Sequence, residues 1–150
     1  MDAVTYPDAR VVSFIDENMI PFRVLYDAEP LSKDFNIKWT PTIITLDSGG
    51  LEHHRSVGFL EPDALISTIL LGIAKVFFDT NRFDDALINL EKILKDYPET
   101  NSAPEAIYMR GVSLYKNTDD PRELKEAYEK LRDKYPESEW AKKAYPYRLL

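Results

Sequence analysis

Two stretches in the second half of the chain nearly repeat each other. They are DDALINLEKILKDYPET at residues 84–100 and ELKEAYEKLRDKYPES at residues 123–138. Both space their apolar residues as one face of a helix does, and both end in Tyr-Pro-Glu followed by Thr or Ser. The second proline, Pro136, follows Pro98 by 38 residues, a period within the range of stacked helical repeats. The echo predicts an all-α region built from hairpins of helices.

Further helices are predicted around this echo. They are 62–79, beginning at Pro62; 81–95; 103–117; 121–136; and a last, solvating helix over Glu137–Tyr147 with Trp140 and Tyr145 packed inward. The first of these is apolar on two sides, which predicts burial on both faces. Small residues at Ala74 and Gly111 would let helices cross closely.

Residues 64–150 therefore resemble the tetratricopeptide repeat family, of the variety with Tyr-Pro-Ser/Thr endings found in bacterial envelope and scaffold proteins. The family's frequent first tryptophan is missing, and Asp119-Asp120-Pro121 lengthens the second turn between helices. A generic helical bundle is the alternative. The resemblance implies a concave, protein-binding face, to which we assign Lys75, Asp79, Tyr108 and Arg110.

The first half has an α/β pattern. It predicts, in order, a helix after Pro7, a strand over Pro21–Asp27, a short helix over Glu29–Phe35, a strand over Thr42–Asp47, and a returning strand over Leu51–Gly58. The predicted fold class is thus α/β followed by all-α, with the helix 62–79 shared between the two parts.

This order, together with FNIKWTPTIITLD at residues 35–47, resembles the thioredoxin fold over roughly residues 1–79. The resemblance implies a cis peptide bond before Pro41 and a peptide-binding loop at Trp39, Thr40, Pro41 and Thr42. The chain departs from the family by lacking the first strand and the CxxC motif. A central strand would be missing, so the strands 21–27 and 42–47 would have to pair directly, take a strand from a second chain in a homodimer, or belong to a longer natural protein.

Composition excludes several classes of function. The net charge of −7 and the scattered lysines and arginines argue against nucleic-acid binding. The longest apolar run, residues 64–78, is too short to span a membrane and carries Lys75. Without a signal peptide in its first residues, the chain is predicted to be cytoplasmic.

No catalytic grouping is recognisable. The chain has no cysteine, and no phosphate loop or nucleophile motif occurs. His53 and His54 are adjacent on a predicted strand, so they should point to opposite faces and lie at the surface rather than share a metal. We expect no enzyme activity, no cofactor and no metal.

Two functions follow as hypotheses. The first is a redox-inactive scaffold that binds proteins or extended peptides at the Pro41 loop and on the concave repeat face. The second is a truncated thiol-disulfide oxidoreductase whose CxxC lies upstream of Met1, so that Pro41 would face a reactive sulfur.

Overall fold

A computed structural model describes residues 1–150, which form mostly helix with one small sheet. The elements are α1 (Ala9–Asn18), α2 (Leu31–Asp34), β1 (Thr42–Leu46), β2 (Glu52–Val57), α3 (Pro62–Asp79), α4 (Phe83–Asp96), α5 (Ser102–Thr118), α6 (Arg122–Lys134), α7 (Glu139–Ala144) and a final 3₁₀ helix (Tyr145–Leu149). The sheet is antiparallel and has two strands. Helical hairpins follow it, as the repeat pattern predicts.

Helix α3 lies at the centre of the molecule. It contacts α1, both strands, α4 and α5. Its residues 65–72 are all buried, and five of them belong to the larger apolar core of 14 buried residues. This burial on all sides agrees with the apolar character of the helix. The sheet and the helical hairpins are therefore packed onto one common element.

The helical hairpins cross closely because small residues lie at their contacts. A Cβ atom placed on Gly111 of α5 would lie 2.5 Å from the Cβ of Ala127 in α6, so only glycine fits at this crossing. Ala74 of α3 and Ala86 of α4 are completely buried in the larger apolar core. The contact at Gly111 confirms the role predicted for this residue, and the burial of Ala74 is consistent with its predicted role.

The Tyr-Pro endings join the two copies of the repeat. The hydroxyl of Tyr135, at the end of α6, donates a hydrogen bond of 2.6 Å to the backbone carbonyl of Pro98, which follows α4. Helix α4 ends at Asp96 and α6 ends at Lys134, so each helix stops just before its tyrosine and the proline that follows. The predicted ends at residues 95 and 136 differ from these by one and two residues. The matching ends of the repeats thus form a contact between neighbouring hairpins.

The predicted strand over Pro21–Asp27 is wrong. This segment forms neither helix nor strand, and β1 pairs only with β2. Direct pairing of the segment with β1 is therefore also wrong. A strand needs a neighbour to satisfy its backbone groups, and the segment has none within the chain. The alternating side chains of 22–26 alone could not show this.

The chain contains two cis peptide bonds, both before proline. The Thr40–Pro41 peptide bond is cis, as the resemblance implies, and Glu29–Pro30 is a second cis bond that was not predicted.

In the C-terminal cap, Trp140 packs against the second apolar cluster as predicted. Tyr145 does not pack inward: it is 52% exposed, and Tyr147 takes the inner position because the chain turns into a 3₁₀ helix at Tyr145.

A β-bulge shapes the end of the sheet that lies near the repeats. Thr45 pairs with His54, but the next residue of β1, Leu46, pairs with Glu52, so His53 has no partner opposite it. Such an extra residue re-aims neighbouring side chains.

Candidate functional site: a cleft between the sheet and the repeats

A cleft of about 540 Å³ opens where β2 meets the first helices of the repeats. Its walls come from β2, α3, α5 and α7. The lining residues are Glu52, His53, His54, Arg55, Lys75, Glu105, Glu139 and Trp140. All but one of these are polar or charged, so the cleft suits a polar or extended ligand better than an apolar one.

Lys75 organises the floor of the cleft. Its Nζ lies 2.6 Å from Oε1 of Glu105 on α5 and 3.0 Å from Nδ1 of His54 on β2. The Lys75 and Glu105 side chains are only 21% and 15% exposed, which protects this ion pair from water more than a surface pair. Sheet, α3 and α5 are joined by this one lysine.

The hydrogen bond from Lys75 fixes the proton position on His54. An ammonium group can only donate, so Nδ1 of His54 must accept and the neutral ring carries its proton on Nε2. Burial, and then the charge of Lys75, lower the pKa of His54 to about 4. His54 is therefore neutral near neutral pH, and its Nε2–H has no hydrogen-bond acceptor within the chain.

The second histidine also faces α3, which corrects the expectation that adjacent histidines point to opposite faces. His53 has a side chain only 3% exposed, with Nδ1 2.6 Å from Asp79 and Nε2 3.2 Å from Asp47. The hydrogen bond to Asp79 and the one to Asp47 outweigh burial and raise the pKa of His53. The bulge at His53 breaks the alternation on which the expectation rested. Both histidines are half-buried rather than fully exposed, and no grouping of His, Asp and Glu in the structure has the arrangement of a metal site.

Trp140 is the one aromatic residue of the lining, and it belongs to a cluster of aromatic rings from α5, α7 and the final 3₁₀ helix. The ring of Tyr108 on α5 lies 5.2 Å from that of Trp140 and 5.9 Å from that of Tyr147, measured between centroids. The hydroxyls of Tyr108 and Tyr147 are hydrogen-bonded at 3.0 Å. Burial and this hydrogen bond raise the pKa of Tyr147 to about 12. Lys143 lies over the face of Trp140, 3.9 Å from its centroid.

The structure brings together only some of the predicted concave-face residues. Lys75 lines the cleft, and Tyr108 packs in a tilted arrangement against Trp140 at its edge. Asp79 instead receives the hydrogen bond of His53, and Arg110 forms an ion pair with Glu91 of α4. Glu105 was missed, because a single carboxylate early in a helix gives no sign of a partner on another helix.

The predicted loop site lies outside the cleft. Trp39 is 70% exposed, and the Thr42 hydroxyl donates a hydrogen bond of 2.6 Å to its carbonyl. The carbonyl of Pro41 accepts a hydrogen bond of 2.8 Å from the Gly58 N–H, which closes the end of the sheet. The loop therefore begins β1 at the end opposite to the bulge, and its role in binding stays a prediction.

The two histidines predict opposite dependences of stability on pH. The folded-state pKa of His54 lies below the unfolded value of about 6.5, so the unfolded chain binds a proton at His54 more readily than the folded protein does. Stability is therefore lost as pH falls from about 6.5 to about 4. We expect the loss to be about 1–2 kcal/mol after solvent screening. The raised pKa of His53 instead gives stability that is full below about 6.5 and lost as pH rises through the folded pKa.

Urea unfolding across this pH range tests the assignment with matched variants. His54→Gln should lose the weakening on the acid side and keep the one on the alkaline side, whereas His53→Gln should do the reverse. Equal pH profiles for the two variants would contradict the opposite environments of the two rings.

One comparison with known proteins gives a match. The family model described as YfiO, outer membrane lipoprotein, matches residues 60–147, which include α3 to α7 and the walls of the cleft that these helices provide. None of the curated proteins and none of the solved structures matches the chain. No helix has the length and apolar character needed to cross a membrane.

Proposed function

Since the chain belongs to the YfiO outer membrane lipoprotein family, whose match covers more than half of it, we propose that it is a protein-interaction scaffold of the tetratricopeptide type. In this proposal an extended segment of a partner protein binds in the cleft between β2 and the repeat helices. The observation that carries the proposal is the convergence of four elements on one polar cleft that Trp140 lines on the side of α7.

The cleft offers groups suited to a peptide backbone. The free Nε2–H of His54 can donate to a carbonyl, and the carboxylate of Glu105 can accept from an N–H while it keeps its ion pair with Lys75. A side chain of the partner can pack on the exposed rim of Trp140. The carboxylates of the lining, Glu52, Glu105 and Glu139, outnumber its cations, Arg55 and Lys75, which favours a partner segment that carries a positive charge.

The Pro41 loop is a second contact in this proposal. Its support is the unpaired outer edge of β1 beside the exposed Trp39, where a peptide could add as a further strand. We also propose that residues 1–79 are thioredoxin-like. The cis Thr40–Pro41 bond and the β1–β2 hairpin agree with a thioredoxin-like domain, whereas the missing strand departs from it.

Selection of short random peptides displayed on phage tests the scaffold function. We expect the full chain to enrich a sequence family containing Arg or Lys, and we expect Trp140→Ala or Glu105→Gln to weaken the selected peptide roughly tenfold, since a central aromatic or buried charged contact contributes more than 1 kcal/mol. Ile88→Ser, a replacement of an exposed apolar residue on α4, is the matched control and should bind normally.

The same experiment separates the two contacts. If Trp39→Ala weakens a selected peptide and Trp140→Ala does not, the loop is the binding site and the cleft assignment is wrong. If the chain enriches no peptide family, the proposal of a peptide-binding scaffold fails.

We further propose that the chain acts without catalysis or a cofactor, and that it works in the cytoplasm. The description of the family names the outer membrane, so the compartment needs its own test. Recovery of the untagged protein in the membrane fraction of cells that express it would contradict the cytoplasmic assignment. The alternative thiol-disulfide oxidoreductase has no support among these residues, which contain no cysteine.

A further inference from the structure

One segment of the chain exposes apolar side chains and leaves its backbone unpaired. The residues between α1 and α2 include Ile20, Phe22, Leu25 and Tyr26, which are 96%, 79%, 72% and 68% exposed. Residues 20–24 make no backbone hydrogen bond at all. Such a contiguous apolar stretch in water marks an interaction surface.

The same chain carries a surface that such a segment could fill. β1 is hydrogen-bonded to β2 on one side only, so its other edge presents unpaired N–H and C=O groups. Trp39, just before β1, and Leu46, at its end, are both exposed. A two-stranded sheet is marginal by itself, and an open edge is a template for a further strand.

We propose that two copies of this chain associate by exchanging residues 22–26, each adding as an antiparallel strand to the free edge of β1 in the second copy. The segment and β1 are both five residues long. With Val24 opposite Ile44, the alternate residues Phe22 and Tyr26 lie opposite Leu46 and Thr42. Cross-strand pairs of apolar and aromatic residues then form along one face.

Charge selects the antiparallel direction. In this alignment Asp27 and Glu29 approach Lys38, and Arg23 lies diagonal to Asp47. A parallel alignment with the same central pair would instead place Asp27 directly opposite Asp47, and like charges in that position are destabilising. The strand edge and the segment thus complement each other in length, alternation and charge.

A second copy suits the edge better than the segment of the same chain does. Both ends of the segment are anchored, because Met19 packs on the large core and α2 begins at Leu31. Within one molecule the segment and β1 remain unpaired. In a two-fold dimer the same contact occurs twice, so each copy completes the sheet of the other.

The strand exchange uses the same free edge of β1 as the loop contact of the proposed function. It does not otherwise depend on that function. A dimer closes this edge, so a partner peptide must displace the exchanged strand to bind at the loop. The cleft remains open in either state.

Sedimentation velocity of the full chain over a range of concentrations tests the exchange. We expect the wild-type chain to dimerise, and Val24→Pro to weaken the dimer roughly tenfold or more because proline removes a ladder donor from both strands of the dimer. Residue 24 lies outside every helix and strand, so this variant should still fold. The control Ile88→Ser, another exposed apolar residue, should dimerise like the wild type.

Disulfide trapping locates the contact, since the chain has no cysteine of its own. Val24→Cys and Ile44→Cys variants mixed and oxidised should give a covalent heterodimer, and either variant alone should give little. A monomer at every concentration, or an intramolecular disulfide in the Val24→Cys/Ile44→Cys double variant, would overturn the exchange. The peptide selection reports separately on the cleft: Val24→Pro should leave binding there intact, and Trp140→Ala should leave the dimer intact.

Discussion

Replacing Gly111 by valine should lower the free energy of unfolding by about 3 kcal/mol. A Cβ at this position would lie 2.5 Å from the Cβ of Ala127 and 3.0 Å from the carbonyl oxygen of Glu123. One of these atoms belongs to the backbone of α6, so the two helices would have to separate. This is the upper end of the usual cost of overpacking, and urea or thermal unfolding followed by circular dichroism measures it.

A second substitution separates overpacking from other effects of valine. Ala127→Gly removes the nearer obstacle and should restore part of the stability in the Gly111→Val background, which is a positive coupling between contacting sites. Lys116→Val, an exposed position on the same helix, should change stability by only a few tenths of a kcal/mol. If Lys116→Val cost as much as Gly111→Val, the close crossing would not be the cause.

Replacing Gly72 by valine should cost about 3 kcal/mol for a similar reason. A Cβ here would lie 2.2 Å from Oγ1 and 2.8 Å from Cβ of Thr45, which is on β1. The strand cannot give way without lifting off α3. The effect should therefore concentrate in the sheet, with faster amide hydrogen exchange in β1 and β2 than in α5 and α6.

The matched rescue for this site is Thr45→Gly, which removes the side chain that the new Cβ would meet. Exchange in the sheet should slow again in the Gly72→Val/Thr45→Gly double variant relative to Gly72→Val. An increase of exchange that is uniform over the sheet and all helices would show that Gly72 does not specifically hold the sheet against α3.

The sequence alone predicts the helices well because each has a long, periodic apolar face and clear end signals. The echo ending at Pro98 and Pro136, and the small residue at Gly111, are local features with a direct structural meaning. The strand Thr42–Leu46 and its return also follow from β-branched residues and the Ser48-Gly49-Gly50 turn.

The errors come from features that depend on distant partners. Residues 21–27 alternate as a strand does, but alternation cannot supply the neighbouring strand that satisfies the backbone. The bulge at His53, which turns both histidines toward α3, adds one residue that no local pattern marks. Tyr145 and Tyr147 exchange their expected roles because the last helix tightens into a 3₁₀ helix.

The candidate site was predictable to the same limited extent. Lys75 and Tyr108 were assigned to the concave side from the resemblance to the repeat family. Lys75 lines the cleft, and Tyr108 lies next to Trp140 of the lining. Asp79 and Arg110 were assigned to the same face, yet ion pairs with His53 and Glu91 hold them elsewhere. Which charged residue remains available to a partner depends on these pairs, and they are set only in the folded chain.

The central claim is that a partner segment binds in the cleft, and amide chemical-shift mapping with a peptide selected by phage display tests it most directly. We expect amide chemical-shift changes centred on Lys75, Glu105 and His54, together with a change at the indole N–H of Trp140. Shifts confined to α4 and α6, which do not line the cleft, or no shifts near these four residues, would contradict it.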